Sequence, residues 1–274
     1  MNPYQFNENQ VKELANGVWM RVAVDNIAWY DLGTSTDGIK RGAAVVDALE
    51  DADQADVVRG LIKQTTGQDL KYVVTTHWDA DHIACNPQWK REGAPVIAHR
   101  SCADSAGDWA GKPDIAYPDV LTLQGEEDRR IEMRWVGGTH TPWDTILHFP
   151  DARVLHIADL FGWGLIPCQP TPQKIERLRE VLLIIQSFEV DHIICGHGPS
   201  TDLACIIRFD SYLDEMLQQV PPLIEQGLSD EQIIEQVPPP PDMSEWFRFV
   251  AWKHAKNVAL IREFYHGAVL HLGT

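Results

Sequence analysis

Apolar residues in the first third of the chain fall in short β-rich runs separated by polar turns. Val18-Trp19-Met20-Arg21-Val22-Ala23-Val24 and Ile27-Ala28-Trp29-Tyr30 are two such runs, and Gly42-Ala43-Ala44-Val45-Val46-Asp47 reads as a buried strand ending in a carboxylate. The period then changes. From Ala55 to Gln64, Val57, Val58, Leu61 and Ile62 take a helical spacing, and Leu70-Lys71-Tyr72-Val73-Val74-Thr75 returns to strand. Strand, helix and strand in that order imply a parallel crossover. The residues after Thr75 then leave the carboxyl end of a strand, where sites in α/β sheets collect.

A second alternation follows. Ile131 to Val136 predicts a strand, Thr145–Phe149 and Arg153–Ile157 a hairpin around Pro150-Asp151, and Ile193-Ile194-Cys195 a last strand. Between these, Ile175, Leu178, Val181, Leu182 and Ile185 mark one face of a helix from about Gln173 to Ser187. After residue 200 the pattern is helical only. Leu203, Ile206, Ile207, Leu213, Met216, Leu217 and Val220 form a stripe, and Ser229 with Gln232 makes a capping box for a helix over Glu231–Val237. Four prolines, 238–241, form a stiff elbow before a final aromatic-rich helix of roughly twenty residues from Ser244. These elements predict one domain over 1–274, with a core at about 15–200 and a helical extension at about 201–274. No internal repeat is visible.

Composition narrows the partners. Of 274 residues, 40 are Asp or Glu and 23 are Lys or Arg, a formal charge of −17 that repels phosphate backbones and anionic lipids. Nucleic acid and membrane are therefore excluded as expected partners, leaving a small-molecule substrate. The first ten residues carry no basic region and no apolar core, as expected of a chain without a secretory leader. The five cysteines (85, 102, 168, 195 and 205) are scattered and never in a CxxC pair, the pattern of small buried thiols in a cytoplasmic protein.

The chemistry is concentrated in Thr76-His77-Trp78-Asp79-Ala80-Asp81-His82. His77, Asp79, Asp81 and His82 offer four donors for divalent first-row metals directly after a predicted buried strand. His140, Asp159 and His197 occupy similar positions after β-rich stretches, at separations of 58, 19 and 38 residues. Independent strands could deliver all seven to one rim. His99, His148, His156 and His192 lie in or beside strands and are expected to be hydrogen-bonded structural residues. No GxSxG or P-loop competes.

The ordered motifs, together with the Val45-Val46-Asp47 strand and the Gly196-His197-Gly198-Pro199 ending, resemble the metallo-β-lactamase superfamily over about residues 15–200. The resemblance implies a four-layer αββα sandwich of the α/β class with a C-terminal helical extension and two divalent metal ions. It would place His77, Asp79 and His140 on one ion and Asp81, His82 and His197 on the other, with Asp159 bridging. A bridging hydroxide would be the nucleophile, and Asp81 the catalytic residue that orients it or accepts its proton.

One departure is Asp79, which stands where the family motif HxHxDH has its second histidine. Two imidazoles and a carboxylate resemble the ligand set of non-haem iron sites, and the lower net charge should favour iron or manganese over zinc. The leading expectation is a hydrolase of a small ester, lactone, thioester or amide. A di-iron oxygenase or oxygen-handling redox enzyme is the alternative, and a non-catalytic metal-binding protein is third. Trp78, Trp143 and Trp252 are candidate pocket residues, each with a packing role equally open. Asp144 could support the site or only its turn. Segment 101–118 is a candidate substrate loop, and the final helix a candidate roof, homodimer contact or core element.

Overall fold

The computed structural model describes residues 9–23 and 25–271, with side chains through residue 265. The first eight residues, on which the absence of a leader was read, and Val24 of the first β-rich run lie outside the described residues.

Strands β1 (Gln10–Ala15), β2 (Val18–Val22), β3 (Ile27–Asp31), β4 (Ala43–Val46), β5 (Leu70–Val74), β6 (Val96–His99) and β7 (Ile115–Tyr117) pair in that order in one sheet. Pairing is antiparallel from β1 to β4 and parallel from β4 to β7. Helix α1 (Ala55–Thr66) makes the predicted crossover from β4 to β5, α2 (Asn86–Arg91) the next, and α3 (Arg100–Ala106) follows β6. The second sheet contains β8 (Val120–Gln124), β9 (Arg130–Trp135), β10 (Thr145–Phe149), β11 (Val154–Ala158) and β12 (His192–Cys195), in the order β12-β11-β10-β9-β8. Helix α4 (Pro172–Gln186) links β11 to its parallel neighbour β12, and α5 (Leu203–Glu225), α6 (Asp230–Gln236) and α7 (His254–His271) complete the chain.

The strand residues divide by parity between three cores, which makes the layers αββα. Met20, Tyr30 and Val46 meet Ile131, Leu147 and Phe149 between the two sheets. Their neighbours Trp29 and Val45 face the other way and pack with Val58, Ile62 and Trp89 of α1 and α2. On the far side, Leu155, Ile157 and Ile193 lie under Leu178 and Leu182 of α4, Phe209 and Leu213 of α5 and Val258 of α7. Burial on both faces explains why these strands read as continuous apolar runs. Fully burying each large side chain contributes about 1.5–3 kcal/mol, before chain entropy is counted.

The C-terminal segment departs from expectation. The capping box forms around α6 as predicted, but α7 begins at His254, ten residues after Ser244. A 3₁₀ turn at Pro241–Met243, Arg248 in the left-handed region (φ 57°) and a π turn over Phe249–Lys253 precede it. Packing outweighs helical propensity here: Trp246 and Phe249 are buried in the outer core, where Phe249 lies edge-on to Tyr212 at 5.3 Å. Segment 101–118 is α3 followed by the edge strand β7, whose Tyr117 is buried with its hydroxyl 2.9 Å from Thr145 Oγ1. Among the described residues, no helix is long and apolar enough to cross a membrane.

Candidate metal centre

The site lies at the carboxyl ends of β5, β11 and β12 and in the loop between β9 and β10. A 3₁₀ turn over Ala80–His82 folds the segment after β5 back on itself, so His77, Asp79, Asp81 and His82 leave the strand close together. Ala158 adopts φ 48° at the end of β11, an uncommon conformation for a residue with a Cβ, and presents Asp159. After β12, Gly196 admits that carboxylate: a Cβ at position 196 would overlap Asp159 and lie 3.1 Å from His82 Cε1. Asn26 holds this loop through its Nδ2, which donates to the carbonyls of Cys195 (2.8 Å) and Gly198 (2.6 Å).

All seven predicted donors converge. Asp81, His82, Asp159 and His197 each bring one donor atom within 4.8 Å of the others, as do His77, Asp79 and His140. Asp159 touches both groups. Its Oδ1 is 3.6 Å from His82 Nε2, and its Oδ2 is 3.0 Å from His197 Nε2, 3.7 Å from His140 Nε2 and 3.9 Å from His77 Nε2. Asp79 Oδ2 is 3.2 Å from His140 Nε2, and Asp81 Oδ2 is 3.5 Å from the Nε2 atoms of His82 and His197. Donors around an ion at metal–ligand distances near 2.0–2.1 Å in a tetrahedron would lie about 3.3 Å apart, within this range. His77 and His82 form the buried floor, while Asp79, Asp81, His140 and His197 are partly open to solvent.

Each imidazole turns its Nε2 inward because its Nδ1 is held from outside. His82 Nδ1 donates to Asp47 at 3.0 Å, and His140 Nδ1 donates to the Pro167 carbonyl at 2.9 Å. His197 Nδ1 lies 3.2 Å from Asp25. Thr76 Oγ1 donates to Asp47 at 2.9 Å and is left to accept from His77 Nδ1 at 3.0 Å. Asp47 thus orients both floor histidines, one directly and one through Thr76. Such outer partners set the tautomer and leave Nε2 as a lone-pair donor. Sequence reasoning passed over Asp47, Asp25 and Pro167, although a carboxylate ending a buried strand was a signal for the first.

Charge is balanced between carboxylates and imidazoles. Burial opposes a charge on His77 and lowers its pKa to about 4. Burial also works against His140 and His197, but Asp79 and Asp159 outweigh it and raise them to about 9 and about 10. At Asp81 burial is overcome by the His82 imidazole, and the pKa falls to about 2. A cation entering this centre must therefore displace protons.

The remaining candidates separate. Trp252 lines the cavity above the centre, with His140, Asp159 and His197. Trp78 and Trp143 are not among its lining residues: Trp78 packs edge-on against Trp109 at 5.4 Å, and Trp143 Nε1 donates to Ser105 Oγ at 3.1 Å. Asp144 is buried and bonded to Thr139 and Thr141, a support of the turn that carries His140. His148 bonds Glu132, His99 bonds Ser101 and Pro118, and His156 accepts from the Ala158 amide, all outside the seven. All five cysteines are buried thiols, and among the described residues none forms a disulfide.

Residues 38–197 match the family model of the metallo-beta-lactamase superfamily, and the chain belongs to that superfamily. Solved structures with low identity share the fold. A metallo-beta-lactamase from Pontibacter korlensis is 20% identical with a TM-score of 0.60, covering 75% of this chain and 98% of that one. The DIM-1 metallo-beta-lactamase is 17% identical with a TM-score of 0.59, covering 76% and 98%. The stereoselective inverting sec-alkylsulfatase Pisa1 from Pseudomonas sp. is 15% identical with a TM-score of 0.68; the match covers 94% of this chain but 50% of the sulfatase.

Proposed function

We propose that this protein is a metal-dependent hydrolase that holds two divalent ions and cleaves a small ester, lactone, thioester or amide. One observation carries the reading. His77 Nε2, His82 Nε2 and Asp159 Oδ1 are buried with no hydrogen-bond partner in the protein, and they converge on one place. Leaving a buried polar atom unsatisfied costs about 1–3 kcal/mol, and cations bound among these lone pairs would satisfy them together. In this assignment His77, Asp79 and His140 hold one ion, Asp81, His82 and His197 the other, and Asp159 spans them. Two such ions would supply Lewis acidity and bring the pKa of coordinated water toward neutrality.

The chain's own groups then have distinct tasks. The histidines are oriented by Asp47, Thr76, Asp25 and the Pro167 carbonyl. Asp81 lies at the partly open rim, where its carboxylate would orient an attacking water or accept its proton. The test is turnover by metal-loaded protein across esters, lactones, thioesters and amides. β-Lactams and secondary alkyl sulfates belong in the panel because the structural neighbours carry those names. Metal-dependent turnover that Asp81→Asn abolishes is expected; uniform inactivity would overturn the reading.

The His77, Asp79 and His140 group favours a second reading. Two imidazoles and one carboxylate suit iron or manganese better than an all-histidine set does, and are compatible with redox chemistry. Elemental analysis of protein made in balanced-metal medium is expected to find iron or manganese, and stoichiometric zinc alone would refute this. Anaerobic iron loading followed by oxygen should change the visible or Mössbauer spectrum if the chemistry is redox. An unchanged spectrum with continuing ester turnover leaves the hydrolase.

A further inference from the structure

The cavity above the centre has a volume of about 460 Å³ and a wall that the seven donors do not explain. Arg248, Lys253 and Lys256 all line it, beside the aromatic rings of Phe247 and Trp252. In a chain with 40 acidic and 23 basic side chains, this concentration of positive charge runs against composition. Other cations of the same helical region are paired: Arg179 with Asp214, Arg208 with Glu215 and Asp242, and Arg262 with Asp230. Among the described residues, Arg248, Lys253 and Lys256 have neither an ion pair nor a side-chain hydrogen bond.

Lys253 is the most telling of the three. It is only 4% exposed, and burial lowers its pKa to about 7, so an anion placed beside it would restore a full ammonium charge. Its Nζ lies 4.7 Å from the Phe247 ring centroid and 5.7 Å from that of Trp252, and the Arg248 guanidinium lies 5.0 Å from Phe247. Aromatic faces return less to a cation than an anion in the same place would. The backbone here is also held in uncommon states, a left-handed Arg248 and the π turn Phe249–Lys253, which are features that cluster at functional sites. Gly198, next to His197, has the Phe247 ring where a Cβ would stand, so this wall rests directly on the loop of the centre. None of these wall residues falls within residues 38–197, the part that matches the family model.

We propose that this cavity selects an amphiphilic anion, with an oxyanion head on Arg248, Lys253 and Lys256 and an apolar body against Leu165, Ile166 and Trp252. It rests on the hydrolase reading only in calling that anion a substrate. A carboxylate and a sulfate ester share the head chemistry, and the two are separated by experiment.

The test is binding without turnover. Metal-loaded full-length protein is titrated with octanoate, octyl sulfate and the neutral octanamide, read by tryptophan fluorescence and by calorimetry. The better of the two anions is expected to bind at least about tenfold tighter than octanamide, and which anion leads names the head group. Arg248→Gln/Lys256→Gln, at two exposed positions, should abolish that preference while leaving octanamide affinity within about twofold. Lys253→Met should do the same, with thermal melting as the check on its fold. Equal binding of anions and amide, no saturable binding of either anion, or a preference that survives the double substitution would each overturn the proposal. The last result would place the oxyanion on the metals. Because no turnover is measured, an inactive protein that still prefers anions would sink the hydrolase reading alone.

Discussion

The floor of the cavity is assembled from loops after β4, β5, β9, β11 and β12, whereas its cationic wall comes from one contiguous stretch, Phe247 to Leu260, beyond the last strand. On the floor, every imidazole has an outer partner that fixes its rotation, and the buried inward atoms His77 Nε2, His82 Nε2 and Asp159 Oδ1 have no hydrogen-bond partner in the protein. The wall is arranged differently. Its cations sit on strained backbone and against aromatic rings, with no carboxylate holding them. The floor thus holds its candidate donor atoms in fixed positions close to one another. The wall leaves charge available for a larger ligand. The two regions are thus built separately, one from the loops of the sheets and one from the helical segment after the last strand.

The strongest way to break this division is at Asp159, the one side chain that reaches both donor groups. Asp159→Ala is expected to leave at most one bound ion by elemental analysis and to lower turnover by three or more orders of magnitude, about 4 kcal/mol of transition-state stabilisation. Two ions retained with ordinary turnover would remove Asp159 from its bridging place.

Phe249→Ala attacks the wall instead. Truncating this fully buried ring should cost about 3–5 kcal/mol of stability by denaturant titration. Metal stoichiometry at low temperature should survive. If the ions are lost as well, floor and wall are one cooperative unit and the contrast fails.

Asp47→Asn tests whether orientation from behind matters on the floor. Metal affinity is expected to drop by about 10–100-fold, measured by competition with a chromophoric chelator, while octanamide binding is unchanged. An unaltered affinity would show that the two floor histidines hold their rotation without it.

The smallest effect concerns His156, a fully buried neutral imidazole beneath the floor whose pKa burial depresses from 6.5 to about 4. The unfolded chain takes up a proton that the folded chain refuses, so this contribution is intact above pH 6.5 and is lost as pH falls toward 4. His156→Leu should flatten the acid limb of the stability curve by up to about one proton, and an unchanged slope would assign the acid sensitivity elsewhere.

Much of the floor was legible because its donors follow a local rule. A ligand at the end of a buried strand points to the same rim as its neighbours, whatever the distance along the chain. The apolar runs of β4, β11 and β12 were visible for the same reason: both faces are buried, so no polar residue interrupts them. Edge elements were harder. β1, β7 and β8 carry mixed patterns with exposed positions, and pairing with a neighbour rather than their own periodicity makes them strands. The segment after Ser244 reads as helix by composition, yet burial of Trp246 and Phe249 holds it in another shape until His254.

Sequence alone therefore determined the α/β class, the seven side chains that the structure brings together and their order, and the oddity of Asp79, since all of these depend on residue type, short-range period and motif. Tertiary structure decided that Asp47 serves two histidines, that Trp252 lines the cavity while Trp78 and Trp143 do not, and that three basic side chains gather beside the centre. These are relations between side chains tens to hundreds of residues apart. Their distances are set by how sheets and helices pack, and packing leaves no periodic trace in the chain.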